Sequence, residues 1–76
     1  GLFGVKGYAW EKTMKGAVVV TMLIKNGWEL KRINGSHHIL EKNSVTCTVP
    51  VHNKEIAIGT LKSIQKTVKA AENEND

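Results

Sequence analysis

Two turn signals placed close together, Asn34-Gly35-Ser36 and Asn43-Ser44, constrain this chain more than anything else in it. The runs beside them are short and strand-like, and a chain that reverses at both points forms an antiparallel meander. "WELKRI" alternates Trp28, Leu30 and Arg32 against Glu29, Lys31 and Ile33, the period of a half-buried strand. Asn-Gly is a strong hairpin signal because both residues tolerate the positive φ of a type I′ turn. "HHILEK" is then a second strand that begins at His37, and "VTCTVPV", rich in β-branched residues, is a third. Pro50 has no amide donor, which places it at the end of that strand or on an edge.

The flanking segments are read less directly. In "MKGAVVVTMLIKNGW", Val18, Val19, Val20 and Thr21 favour a strand by propensity. The same run, from Lys15 to Asn26, also fits a short helix with Val19, Met22 and Leu23 on one face and Asn26-Gly27 as its C-terminal cap. Local reasoning leaves both open. Further on, Thr60 is a fair N-cap, and Leu61, Ile64 and Val68 recur at helical spacing. Lys62, Lys66 and Lys69 fall together on another face of that helix. Residues 1–13 hold three glycines and no clear period, so they read as a loosely ordered native extension or an added remnant, with Met14 a natural start. Residues 72–76, acidic and without an apolar side chain, read as a disordered tail. The domain proper is residues 14–71.

At 76 residues the chain is one domain, close to the lower limit for a core without disulfides or metal, and it leaves little room for a deep pocket. Cys47 is the single cysteine, so no internal disulfide forms, and no Cys/His spacing resembles a structural zinc site. No metal or other cofactor is expected. No apolar run approaches the roughly 20 residues of a membrane span, and the expected location is the cytoplasm. The net charge is +4, but residues 14–71 alone carry nine Lys or Arg against three Glu. A basic excess concentrated in the domain favours an anionic partner, of which nucleic acid is the commonest.

Four pieces in order carry a family resemblance: "NGW" closing the first segment, "GSHH" after the first strand, "VP" near the end of the third, and "GTLKSI" opening the last helix. Across Met14 to Ala70 the chain resembles the HicA toxins of bacterial toxin–antitoxin pairs, also called mRNA interferases. The resemblance implies a helix over residues 15–26 and hence an α+β fold ordered α-β-β-β-α. In that fold a three-stranded antiparallel sheet carries two helices on one face, as in double-stranded-RNA-binding domains. It also implies a small ribonuclease that cuts mRNA and is masked by a HicB-like antitoxin protein, with His37, directly after Gly-Ser, as the catalytic histidine. The valine-rich first helix and residues 1–13 depart from the family's pattern.

The chemistry has its own logic. Cutting RNA without metal requires removal of a 2′-OH proton, stabilisation of an anionic phosphate and protonation of the leaving 5′-oxygen. Histidine suits the proton steps because its ordinary pKa, about 6.5, makes both forms available near neutrality. Lys31, Arg32 and Ser36 beside His37, with Lys62 and Lys66 of the last helix, are the candidate phosphate-binding residues. Strand alternation sends His38 to the opposite face from His37, which makes His52 the candidate second proton carrier. Trp28 and Cys47 read as core residues. Two other readings compete with the nuclease: an RNA-binding domain that grips phosphates without cutting, and an inactive HicA-like module within a larger protein.

Overall fold

The valine-rich run is a helix. In a computed structural model that describes residues 7–73, α1 spans Gly16–Lys25. Its Val19, Val20, Met22 and Leu23 are buried on one face, so tertiary packing overrides the strand propensity of consecutive valines. The helix stops through a Schellman motif: the Trp28 amide donates to the Leu23 carbonyl (3.0 Å) and the Gly27 amide to the Ile24 carbonyl (3.1 Å). Trp28 and Leu23 are both buried, which supplies the apolar contact that accompanies such caps.

The strands β1 (Glu29–Asn34), β2 (His37–Lys42) and β3 (Val45–Pro50) follow as a meander in the order β1-β2-β3, and α2 (Ile58–Asn73) closes the chain. The second turn falls at Asn43-Ser44 as read from the sequence, while the first differs in detail. Asn34 pairs with His37, so the central turn residues are Gly35 and Ser36, with φ positive only at Gly35 (+62°). That is the pattern of a type II′ turn. The type I′ pattern appears instead at Asn43-Ser44, where both residues have positive φ (52° and 66°).

A bulge between Leu30 and Arg32 corrects the expected alternation of β1. Leu30 pairs with Leu40 and Ile33 with His38, so Leu30 and Ile33 share the helix-facing side while Arg32, opposite Ile39, points the other way. α2 also starts earlier than Thr60: the Leu61 amide donates to the Ala57 carbonyl at 2.9 Å, which places Thr60 inside the first turn.

Both helices cover one face of the sheet. Leu40, Cys47 and Val49 meet Val19 and Leu23 of α1 and Leu61, Ile64 and Val68 of α2 in a single buried cluster. Burial pushes the Cys47 thiol up to about 11, so it stays protonated and behaves as a small apolar side chain. Gly16 sits so close to the end of β3 that a methyl group on it would overlap the Pro50 carbonyl oxygen.

The flanks are engaged where they are described. Tyr8 is buried and Met14 is part of the core. Residues 1–6 and 74–76 lie outside the described residues, so the expectations of a loose extension and a disordered tail fall partly beyond view. Glu72 and Asn73 belong to α2. The Tyr8 hydroxyl donates to Glu72 Oε2 (2.6 Å) and accepts from Trp28 Nε1 (3.0 Å). Lys42 Nζ donates to the same carboxylate oxygen (2.8 Å) and to the Asn26 carbonyl (2.6 Å). This cluster fastens both helix C-termini and the segment before Met14 to the end of β2. No periodic signal announces it, because it rests on single residues far apart in the chain.

Two outcomes follow. Gly16→Ala is expected to destabilise the fold by about 1–3 kcal/mol, read from a urea midpoint, because either α1 or the Pro50 backbone has to move. At Glu72, burial raises the pKa, but the Lys42 and Tyr8 hydrogen bonds outweigh it and hold the carboxyl below its ordinary value of 4.5. Its stabilising contribution is therefore complete above that value and is lost as pH falls through the lower folded value. A series of unfolding measurements from pH 7 to 3 is expected to show a steeper loss of stability for the native chain than for Glu72→Gln.

Candidate functional site

With the helices on one side, the opposite face of the sheet is left open, and the pairing register decides which side chains occupy it. Across the middle run Arg32, Ile39 and Thr48. At one end run Asn34, His37 and Pro50. His37 opens β2 and is exposed, and Arg32 is its diagonal neighbour on the same face, within reach of a long side chain. The expected alternation sets Arg32 on the side of Leu30, and it is the bulge that turns it to the face of His37.

Ser36 and His52 lie at the same end. The Val51 amide donates to the Ser36 carbonyl at 2.7 Å, which ties the exposed loop carrying His52 to the turn that precedes His37. His38 points to the helix side, as alternation required, between Ile33 and Val49. It is half-buried, and its Nδ1 is shielded from solvent with no hydrogen-bond partner among the described residues.

Lys31, the bulge residue, stands apart from the other candidates. Its Nζ lies 3.4 Å from Glu29 Oε1 and 3.8 Å from Glu41 Oε1, so two carboxylates share its charge. Both contacts are exposed and contribute little to stability, but they compete with any phosphate for that ammonium. Arg32 has no ion-pair partner among the described residues, which leaves it the freer cation of the pair. The sequence held a signal for this: Glu29 precedes Lys31 by two positions, and the hairpin register brings Glu41 across from Glu29.

The same end of the molecule carries a second electrostatic feature that sequence reasoning missed. α1 begins against Pro50, and α2 begins after the loop that leaves β3 there, so both helix N-termini point to the end where His37 lies. Neither has an acidic residue in its first turn, and Lys15 at the start of α1 makes no side-chain cap. No carboxylate within either first turn offsets the partial positive charge of the helices, although Glu55, paired with Lys15 in an isolated bridge, stands at the same end.

Lys62 and Lys66 are not part of this arrangement. They are exposed on α2, whose buried face of Leu61, Ile64, Val68 and Ala71 is turned toward the sheet. The sheet thus separates them from His37. A groove of about 420 Å³ lies elsewhere again, between the segment before α1 and that helix, lined by residues such as Met14, Val18 and Met22. It is mainly apolar and includes none of the candidate residues. Among the described residues no group of three or more His, Cys, Asp or Glu side chains is placed to hold a metal ion.

A family model described as "HicA toxin of bacterial toxin-antitoxin" matches residues 16–71. That range runs from the glycine packed on Pro50 to the last buried residue of α2, and it includes every candidate site residue. The segment from Gly7 to Lys15 and the Glu72 carboxylate that it grips fall outside the match. No curated protein matches the chain.

His38 offers a test of the face assignment. A shielded ring nitrogen without a partner costs about 1–3 kcal/mol, so His38→Leu is expected to leave stability unchanged or raise it by about 1 kcal/mol. A loss larger than about 1 kcal/mol on urea unfolding would show that the nitrogen is satisfied in solution.

Proposed function

The chain belongs to the family of HicA toxins of bacterial toxin–antitoxin systems, and from that footing we propose that it is an endoribonuclease that cuts mRNA or other single-stranded RNA at His37. The observation that carries this reading is the position of His37: exposed, fixed by the turn before it, and on one face with Arg32. Family membership also implies an antitoxin partner, and a HicB-like protein that covers the open face would silence the site.

In the proposed reaction His37 removes the proton from a 2′-hydroxyl. The freed oxygen attacks the adjacent phosphorus, the bond from phosphorus to the 5′-oxygen breaks, and a 2′,3′-cyclic phosphate remains. The crowded phosphate carries extra negative charge as it forms. Arg32 and the Ser36 hydroxyl are the donors assigned to it, with Lys31 contributing once RNA displaces its carboxylate partners. The two helix N-termini add a favourable field at this end. His52, held beside the turn through the bond between Val51 and Ser36, is the assigned proton donor to the leaving 5′-oxygen. Every group in this scheme comes from the protein, so the reaction needs no metal ion. The proposed setting is the cytoplasm, where mRNA is available; no described helix is long and apolar enough to cross a membrane.

The test compares the native chain with His37→Ala on a long unstructured RNA in the presence of a chelator. Expected is a loss of cleavage of about 10²-fold or more, with binding retained. Equal cleavage by both proteins would remove His37 from the reaction. Binding by both with cleavage by neither would favour the reading of an RNA-binding domain that does not cut.

A further inference from the structure

The two helices leave part of the sheet uncovered even on their own side. One row of side chains there runs across Leu30, Leu40 and Cys47, another across Ile33, His38 and Val49, and burial fades along both toward β1. In the first row Cys47 and Leu40 are buried while Leu30 is 38% exposed. In the second Val49 is buried, His38 is half-buried and Ile33 is 57% exposed. The helices lie against β3, and β1 projects beyond them.

β1 is also an edge strand, paired with β2 alone. Its hairpin closes on Asn34 and His37 across a two-residue turn, so the main-chain groups of Asn34 bond to β2. By alternation the amide and carbonyl of Ile33 point outward, away from the sheet. An unpaired strand edge and two uncovered apolar side chains therefore stand together on one strand. β3, the other edge, lacks this combination: its Cys47 and Val49 are already buried, and α1 packs on its end where Gly16 meets Pro50. The other exposed apolar residues, Val18, Ile24 and Ile58, lie on helices, which have no strand edge to offer. Edge strands are ordinarily blunted by a bulge or a lysine, and β1 has both at Lys31. Residues 32–34 stay in regular pairing beyond the bulge, so the edge is narrowed there and not closed.

Charge selects the partner. Two copies of the chain joined edge to edge, Leu30 against Ile33, would set Lys31 of each copy against Arg32 of the other. Like charges directly opposite are destabilising, which disfavours a second copy. RNA has no apolar surface to lay on Leu30 and Ile33 without unstacking its bases, and no main chain to pair with Ile33. A strand that alternates apolar residues with carboxylates meets both sides of the edge: its apolar residues lie beside Leu30 and Ile33, and a carboxylate on its other side lies beside Arg32.

We infer that β1 is the docking edge for a protein partner, which adds a strand of alternating apolar and acidic residues to the sheet beside Ile33. The strand is assigned to the antitoxin that family membership implies, and its effect on activity rests on the proposed reading of the chain as a nuclease. A carboxylate delivered from the edge engages Arg32, so inhibition starts at the cation and not at the histidine.

The experiment uses the full chain with its HicB-like antitoxin and, as a minimal probe, a cyclic hairpin peptide whose outer strand alternates valine and glutamate. Amide hydrogen exchange is followed residue by residue. The Ile33 amide is expected to exchange freely in the chain alone and to slow by at least about tenfold in either complex. The double variant Leu30→Thr and Ile33→Thr keeps strand propensity but removes the apolar strip, and it is expected to bind both partners at least about tenfold more weakly. An unchanged set of slowly exchanging amides in the core shows that this variant is folded. A hairpin with lysine in place of glutamate is expected to bind at least about tenfold more weakly than the acidic one. An Ile33 amide that exchanges as fast in the antitoxin complex as in the free chain overturns the inference. Equal affinity for the acidic and basic hairpins, or none for either, does the same. Ile33 protection that grows with chain concentration in the absence of any probe overturns it in favour of a contact between two copies. Cleavage of RNA is scored separately: a chain whose Ile33 is protected by the antitoxin but which cuts nothing keeps this inference and loses the nuclease reading, and one that cuts with Ile33 unprotected does the reverse.

Discussion

Burial of one face of a three-stranded sheet under two helices is the constraint on which the other features depend. A chain this short has one core, and β3 supplies its centre: Cys47 and Val49 lie beneath both helices, with Leu40 of β2 beside them. Three strands are the minimum that two helices can cover, so the second face has to meet water. The clamp between Gly16 and Pro50 fixes one end of α1, and Asn43 Nδ2, donating to the Ala71 carbonyl at 2.9 Å, fixes the far end of α2. Both helices consequently run in the same direction along the sheet. Their N-termini meet at the end where β2 begins, so the core that stabilises the fold also orients the field around His37.

Charge is distributed along this frame in a graded way. At the far end of the open face, Glu29 and Glu41 sit opposite each other with Lys31 between them. Moving toward the helix N-termini, the carboxylates give way to Arg32 and then to His37. On the helix side Lys42 is drawn inward to Glu72 at the far end as well. On the open face the unpaired cation, Arg32, therefore lies on the His37 side of the carboxylates, which favours approach of a polyanion from that side. A uniformly basic surface would attract RNA equally well but would not orient it.

The meander was legible because turn residues and β-branched runs report on local geometry, and His37 was placed on its face by a hairpin only one turn away. The details that failed were those decided by a single residue in a non-local setting. The turn moved one position because the pairing of Asn34 with His37 leaves Gly35 and Ser36 at its centre. The bulge at Lys31 exchanged the faces of Arg32 and Ile33, and nothing in "ELKRIN" marks a bulge. In α1 propensity and periodicity disagree, so local reasoning leaves helix and strand evenly matched; the helix that the family resemblance implies is the one found, packed against β3. Tyr8 was invisible for a related reason. Its partners Glu72 and Trp28 lie far away in sequence, and a buried tyrosine in an aperiodic segment leaves no pattern to detect.

The flatness of the open face bears on how the proposed nuclease would choose and lose its substrate. His37 is exposed on the sheet surface, and its neighbours on that face, Arg32, Asn34 and Pro50, offer donors for phosphate and hydroxyl groups but no Phe, Tyr or Trp ring. Affinity at such a site comes from the backbone, so discrimination between bases is weak and the shape of the RNA matters more. The same flatness suits inhibition. A deep pocket is blocked by a plug that fits it, whereas an exposed histidine on an open sheet is silenced by any partner that covers the face and pairs with Arg32. An acidic antitoxin surface would meet both needs at once, excluding RNA sterically and occupying the cation that the phosphate requires.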